Sequence, residues 1–117
     1  GLGPPAGHLP AEEVAWVQEH HPTGRLFNEW EHGGYIAWRT RRAVFLDSRG
    51  LLAYGPGLVR AYVASWTSRE RLASLLGQYE VSVALVMRPA LRAQFRALGW
   101  VEVRRGPVCS VFVPGGD

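Results

Sequence analysis

The sequence predicts a single α/β domain: a small sandwich whose mixed, mostly parallel sheet of about five strands carries helices on both faces. Short apolar runs alternate with segments in which apolar residues recur at helical spacing. The strongest run, residues 81–87, has almost no polar position, which is typical of a parallel strand covered on both faces. Two β-rich runs around Arg105-Gly106-Pro107 predict a C-terminal antiparallel hairpin.

Length and composition fit one domain. At 117 residues the chain is long enough for one hydrophobic core and too short for two. We expect residues 1–8, rich in Gly and Pro, to form a flexible lead or linker, residues 9–113 to form the domain, and residues 114–117 to fray. Because the chain starts without Met, we also expect it to be a piece of a longer protein.

The first half of the chain predicts two helices and two strands. Pro10 and the glutamates after it indicate a helix start, and this helix should end before Pro22. Residues 25–28 form a short apolar strand, and the Gly33-Gly34 pair allows a tight turn into a helix over residues 35–39, for which a strand is the alternative. Residues 43–47 have no polar alternation and predict a buried parallel strand.

The second half predicts three helices, a central strand and the hairpin. After a Gly/Pro break at residues 55–57, helical spacing predicts one helix through residue 66. A capping-box pattern at Thr67 and Glu70 then starts another. Residues 81–87 form the central strand, and Pro89 starts a helix that Gly99 ends. Residues 100–104 and 108–113 supply the hairpin strands.

The composition excludes several chemistries. All 13 basic residues are Arg, so a phosphate-loop lysine, a Schiff-base lysine and the lysine of many nuclease sites are impossible. The net charge of +3 is modest and the arginines are scattered, which predicts no nucleic-acid partner. The one cysteine, Cys109, excludes an internal disulfide and a thiolate zinc cluster, and its apolar neighbours indicate a small core residue.

Candidate site residues gather where the predicted strands end, because ligands of open α/β sheets bind beyond the carboxyl ends of strands. Glu29 and Asp47 could act there as paired carboxylates for acid–base chemistry or for a divalent cation. We favour a structural network in which arginines pair with these carboxylates, so that Asp47→Ala lowers stability. The partners considered are Arg39, Arg49 and Arg88. The cluster, of ligand-binding or structural role, comprises Asn28, Glu29, Gly33, Gly34, Tyr35, Trp38, Asp47, Arg49 and Tyr54.

No catalytic residue, metal or cofactor is predicted. Metal binding by His32 with Glu29 or Glu31 is conceivable, but the histidines lack a helical ligand spacing such as i, i+4. Four aromatics could form a carbohydrate- or lipid-facing platform, although packing under the loops is the favoured interpretation. They are Trp30, Tyr35, Trp38 and Tyr54. Three arginines at i, i+4, i+8 predict a solvated helix face, with contact to anionic head groups as the alternative. They are Arg88, Arg92 and Arg96.

One pattern of motifs resembles a known family. It comprises Phe27-Asn28, Gly33-Gly34-Tyr35-Ile36-x-Trp38, and Val44-Phe45-Leu46-Asp47-x-Arg49 followed by Tyr54. This pattern, closed by Gly99-Trp100 and the hairpin, is similar to the soluble C-terminal domain of bacterial polytopic membrane proteins that resemble glycosyltransferase-C mannosyltransferases. The resemblance covers about residues 9–113. Ser48 departs from it, because the family often has glycine there.

The resemblance implies a location and a partner more than an activity. It implies a domain on the extracytoplasmic face of the cell membrane, whose partner is the membrane portion of its parent protein. The catalytic acids of such transferases are expected in the membrane portion, so this chain would be a non-catalytic accessory domain. A small stand-alone metal- or ligand-binding enzyme using Glu29, His32 and Asp47 is one alternative, and a protein-interaction module is another.

Overall fold

Helices and strands alternate through most of the chain. The computed structural model describes residues 9–46 and 51–116, and over residues 51–56 it describes the backbone alone. Five α-helices and four strands lie in this part. In order they are α1 (Ala11–His20), β1 (Arg25–Asn28), α2 (Gly33–Thr40), α3 (Leu51–Ser65), α4 (Arg69–Gln78), β2 (Val81–Val86), α5 (Pro89–Ala97), β3 (Val101–Arg105) and β4 (Ser110–Val113). A 3-10 turn, Trp30–His32, leads into α2.

The strands form a mixed sheet in the order β1-β2-β4-β3. β1 pairs with β2 in parallel, while β4 lies antiparallel to both β2 and β3. The mixed sheet and the C-terminal hairpin are confirmed. The expectation of a mostly parallel sheet is wrong, because β4 inserts between β2 and β3 and makes two of the three ladders antiparallel.

The strand expected at residues 43–47 is absent from the described residues, which reach Leu46. The side chain of Asn28 accounts for this difference. Its Oδ1 accepts a hydrogen bond from the Phe45 N–H at 2.7 Å, and its Nδ2 donates to the Leu46 carbonyl at 2.7 Å. The side-chain amide therefore satisfies backbone groups that a ladder would otherwise pair.

Helices cover both faces of the sheet, as predicted. Residues of alternate parity on β2 enter two separate apolar clusters: Val83 and Leu85 enter one, and Ala84 and Val86 enter the other. The first cluster contains Val14 and Val17 of α1 and Ile36 of α2. The second contains residues of α3, α4 and α5, among them Tyr62, Leu72, Leu75, Leu91 and Phe95. β2 is thus covered on both faces, and its pairing with β1 and β4 makes it an inner strand of the sheet.

Most helix ends lie close to their predicted positions. The course of α3 and the position of the glycine pair differ from the prediction. α1 ends at His20, before Pro22, and α5 begins at Pro89 and ends before Gly99, whose φ is +86°. α3 runs through the Gly/Pro segment at residues 55–57 where a break was predicted. Pro56 is the sixth residue of α3, beyond the first turn, so the helix continues there without one of its backbone hydrogen bonds. The helix at residues 35–39 is confirmed within α2, and the glycine pair lies inside its first turn.

The cap of α4 gives a first prediction. Ser68, rather than Thr67, is the N-cap, and its Oγ accepts a hydrogen bond from the Arg71 N–H at 3.2 Å. Ser68→Ala should lower the free energy of unfolding by about 1 kcal/mol, because it leaves that N–H without its partner. Thr67→Ala is the control and should change it by less than about 0.5 kcal/mol in urea denaturation. Equal losses would contradict the assignment of the cap.

Candidate functional site

The carboxylate of Glu29 lies at the end of β1 and is completely buried. Its Oε1 accepts hydrogen bonds from the Tyr62 hydroxyl at 3.0 Å and from Arg88 Nη1 at 2.6 Å. Its Oε2 accepts from the backbone N–H of Arg88 at 2.7 Å and from that of Met87. Four donors thus converge on this one buried carboxylate.

Two of these donors belong to the beginning of α5. Arg88 is the N-cap of this helix, and Pro89 follows it in the first turn. The positive end of a helix dipole and its unpaired N–H groups form the usual anion-binding position at the strand ends of α/β proteins. Here the Glu29 carboxylate provides the anion, and the arrangement ties the end of β1 to the end of β2.

Arg88 extends this arrangement to the surface. Its guanidinium also donates to both carboxylate oxygens of Glu31, at 2.9 and 2.6 Å, and its Cζ lies 4.4 Å from the centre of the Trp66 ring. We call Glu29, Glu31, Tyr62, Trp66 and Arg88 the Glu29 cluster. Hydrogen bonds to Glu31 and then to Glu29 raise the pKa of Arg88, and the Arg88 hydrogen bond lowers the pKa of Glu31. Burial, with the adjacent Glu29 charge, raises the pKa of Tyr62.

The structure places the predicted cluster unevenly. Asn28 and Glu29 are buried at the end of β1, and Gly33 and Gly34 lie in the first turn of α2. Arg88, one of the arginines considered as a partner, pairs with Glu29 at 2.6 Å. Three predicted positions lie outside the description: Asp47 and Arg49 entirely, and the side chain of Tyr54.

The environments of the four aromatic residues and of the three arginines match the predictions only in part. Trp30 and Tyr35 pack against the two apolar clusters, but Trp38 remains 75% exposed, so packing under the loops is wrong for Trp38. The arginines of α5 all contact their own chain. Arg92 Nε donates to the Val86 carbonyl at 3.3 Å, and Arg96 pairs with Glu102 at 3.3 Å.

Sequence reasoning missed a second buried carboxylate, that of Glu13 on α1. Its Oε2 accepts hydrogen bonds from the N–H groups of Val108 at 2.7 Å and Cys109 at 2.6 Å. It thereby ties α1 to the connection between β3 and β4. The available signal was its spacing, because Glu13 lies four residues before Val17 and shares its buried helix face. Burial, and then the nearby Glu13 carboxylate, raise the pKa of the Cys109 thiol, which is typical of an unreactive core cysteine.

His32 is buried beside the Glu29 cluster, and its Nδ1 has no hydrogen-bond partner among the described residues. Burial lowers the pKa of His32 below its usual value of 6.5, and this effect exceeds the opposing charges of Glu29 and Glu31. The folded chain therefore holds this imidazole neutral at pH 7.

The pKa of His32 gives a prediction for acid stability. The unfolded chain takes up a proton below about pH 6.5, while the folded chain resists until a lower pH, so stability falls as the pH falls through this window. The His32 contribution to the slope should stay below about 1.4 kcal/mol per pH unit, the limit set by uptake of one proton. His32→Gln should remove that contribution in urea denaturation between pH 7 and 5, and His20→Gln, at an exposed position of α1, should not. A slope unchanged by His32→Gln would refute this origin.

A groove of about 600 Å³ lies beside the beginning of β1, at the opposite end of the strand from Glu29. Leu26, Phe45, Leu58 and Tyr79 form much of its apolar wall. Arg42 lies at its rim, where its guanidinium donates to the carbonyls of residues 21, 23 and 24. The groove and the polar strand ends are therefore separate features.

Comparisons with known proteins do not extend these observations. Within residues 9–46 and 51–116, no group of three or more His, Cys, Asp or Glu side chains is placed to bind a metal ion. None of the helices in the same ranges combines the length and apolarity needed to cross a bilayer. The chain matches no protein-family model, and no curated protein or solved structure matches it significantly.

Proposed function

We propose that this chain is a non-catalytic accessory domain of a larger membrane-embedded, glycosyltransferase-like protein, placed on the extracytoplasmic side of the cell membrane. The observation that carries the non-catalytic role is the saturation of Glu29. A general base or a metal ligand needs a lone pair directed at substrate or metal. Both oxygens of Glu29 instead accept hydrogen bonds from Tyr62, Met87 and Arg88 of the same chain.

The family-like motif supports the same proposal through the roles of its residues. Asn28 anchors Phe45 and Leu46 through its side-chain amide, and the glycine pair lies in the first turn of α2. These positions hold loops and helix ends in place. Residues in such roles fit a domain that preserves its shape against a partner, which in this proposal is the membrane portion of the parent protein.

The enzyme alternative uses the same region in another way. His32 is its best-placed member, since it is buried with Nδ1 lacking a partner among the described residues. In that alternative His32, Glu29 and Asp47 would bind a metal or a ligand. Added Zn²⁺ or Mn²⁺ would then raise the melting temperature of the purified chain, and His32→Gln would abolish that rise. The accessory-domain proposal expects no such shift.

The location is tested on the full-length protein. In spheroplasts of a bacterium that expresses the full-length protein, we expect the protein to sediment with membranes after an alkaline wash. Protease added outside the spheroplasts should degrade this domain, as followed with an antibody against it, while a cytosolic marker protein survives. Recovery of the full-length protein in the soluble fraction after lysis would overturn the proposal.

A further inference from the structure

The most exposed large apolar side chain among the described residues is Trp38, at 75%. It lies near the end of α2, and the ring of Tyr35, one helical turn earlier, is centred 6.2 Å from the Trp38 ring. Tyr35 is half-buried and packs against the apolar cluster beneath α2. The exposed indole of Trp38 therefore lies next to a second amphipathic ring, that of Tyr35.

Two exposed arginines accompany Trp38. Arg39 lies four residues after Tyr35 and so shares its face of α2, and Arg41 is the C-cap of the helix with φ of 59°. Neither arginine has an ion-pair partner among the side chains that the structure describes. We call Tyr35, Trp38, Arg39 and Arg41 the α2 patch.

We propose that the α2 patch binds the interfacial region of a phospholipid bilayer that carries anionic head groups. Indole and phenol rings favour the head-group level of a bilayer, because their bodies are apolar and their N–H or O–H groups remain hydrated. Arginines beside them are attracted to anionic lipids. Charge complementarity between the two exposed arginines and anionic lipid thus selects the occupant.

This inference moves the membrane contact from α5 to α2. Of the α5 arginines, Arg88 is held by Glu29 and Glu31, and Arg96 is paired with Glu102. Binding a lipid phosphate would require these pairs to break. The α2 patch needs no such exchange. The inference rests on the proposed function, for which it specifies the side of the domain that faces the membrane.

Cosedimentation of the purified 117-residue chain with vesicles tests the proposal. We expect binding to vesicles of phosphatidylcholine with 30% phosphatidylglycerol and much weaker binding to phosphatidylcholine alone. Trp38→Ala should weaken binding about tenfold or more, the ratio expected for leaving one large apolar side chain out of the interface. Arg39→Gln and Arg41→Gln should each weaken it about fivefold, and added salt should weaken it further.

Matched controls separate the α2 patch from general basicity. Arg69→Gln and Arg71→Gln change exposed arginines of α4 and should leave binding within about twofold. All variants should melt within about 2 °C of the unsubstituted 117-residue chain, because each changed side chain is exposed. Equal binding by Trp38→Ala and the parent chain overturns the inference. The inference is also overturned if the chain binds no vesicles and binds only the detergent-solubilised membrane portion of the full-length protein. The α2 patch would then be a protein-binding surface.

The two proposals fail in different ways. Absence of vesicle binding would remove the α2 patch as a lipid contact and leave the spheroplast result unchanged. If the chain binds vesicles but the full-length protein is found in the cytosol, only the accessory-domain proposal is overturned.

Discussion

Replacing Glu29 with Ala should lower the free energy of unfolding by about 3–5 kcal/mol, the largest single effect we expect. The change leaves the Tyr62 hydroxyl and the N–H groups of Met87 and Arg88 without their acceptor, and it removes the buried partner of the Arg88 guanidinium. The total free energy of unfolding of a domain of this size is about 5–15 kcal/mol. Urea denaturation followed by far-UV circular dichroism measures the loss.

Glu31→Ala is the matched control, because Glu31 binds the same guanidinium from an exposed position. It should cost less than about 1 kcal/mol, as solvent already screens that pair. The double variant Glu29→Ala/Arg88→Ala should lose less than the sum of its single variants, since each single change strands the other partner. A Glu29→Ala chain as stable as Glu31→Ala, with a ligand or an activity lost, would restore a functional role for Glu29.

Replacing Glu13 with Ala should lower the free energy of unfolding by about 2–4 kcal/mol, because two N–H groups lose their acceptor and a cavity forms. These groups belong to Val108 and Cys109, next to the first residue of β4. Hydrogen exchange should show faster opening at the connection between β3 and β4 than elsewhere. Glu12→Ala changes the exposed neighbour on α1 and should have little effect on either measurement.

Gly106 provides an independent check on this contact. A Cβ added at Gly106 would collide with the Glu13 carboxyl group. Gly106→Ala should therefore destabilise the otherwise unsubstituted chain. The loss in the free energy of unfolding should be clearly smaller in the Glu13→Ala background, where the carboxyl group is gone. Additive losses in the double variant would show that Glu13 does not occupy the space beside Gly106 in solution.

The candidate site could be located from sequence only at the level of strand ends. Glu29 follows a short apolar run, and parallel strands bring their carboxyl ends to one edge, so its neighbourhood with Arg88 was predictable. The participation of Tyr62 was not, because its hydroxyl reaches Glu29 from a helix 33 residues further along the chain. Glu13 was missed for the same reason, since its donors lie 95 and 96 residues away.

The sequence by itself determined the elements whose signals are local. Proline and glycine positions set the ends of α1 and α5, and the nearly continuous apolar run identified β2 as a strand covered on both faces. Tertiary structure alone decided whether an apolar run joined the sheet. Residues 43–46 have the composition of a strand, but the Asn28 amide takes backbone hydrogen bonds of Phe45 and Leu46. Local preference favours an extended conformation there, and only the partner available in three dimensions decides how that conformation is paired.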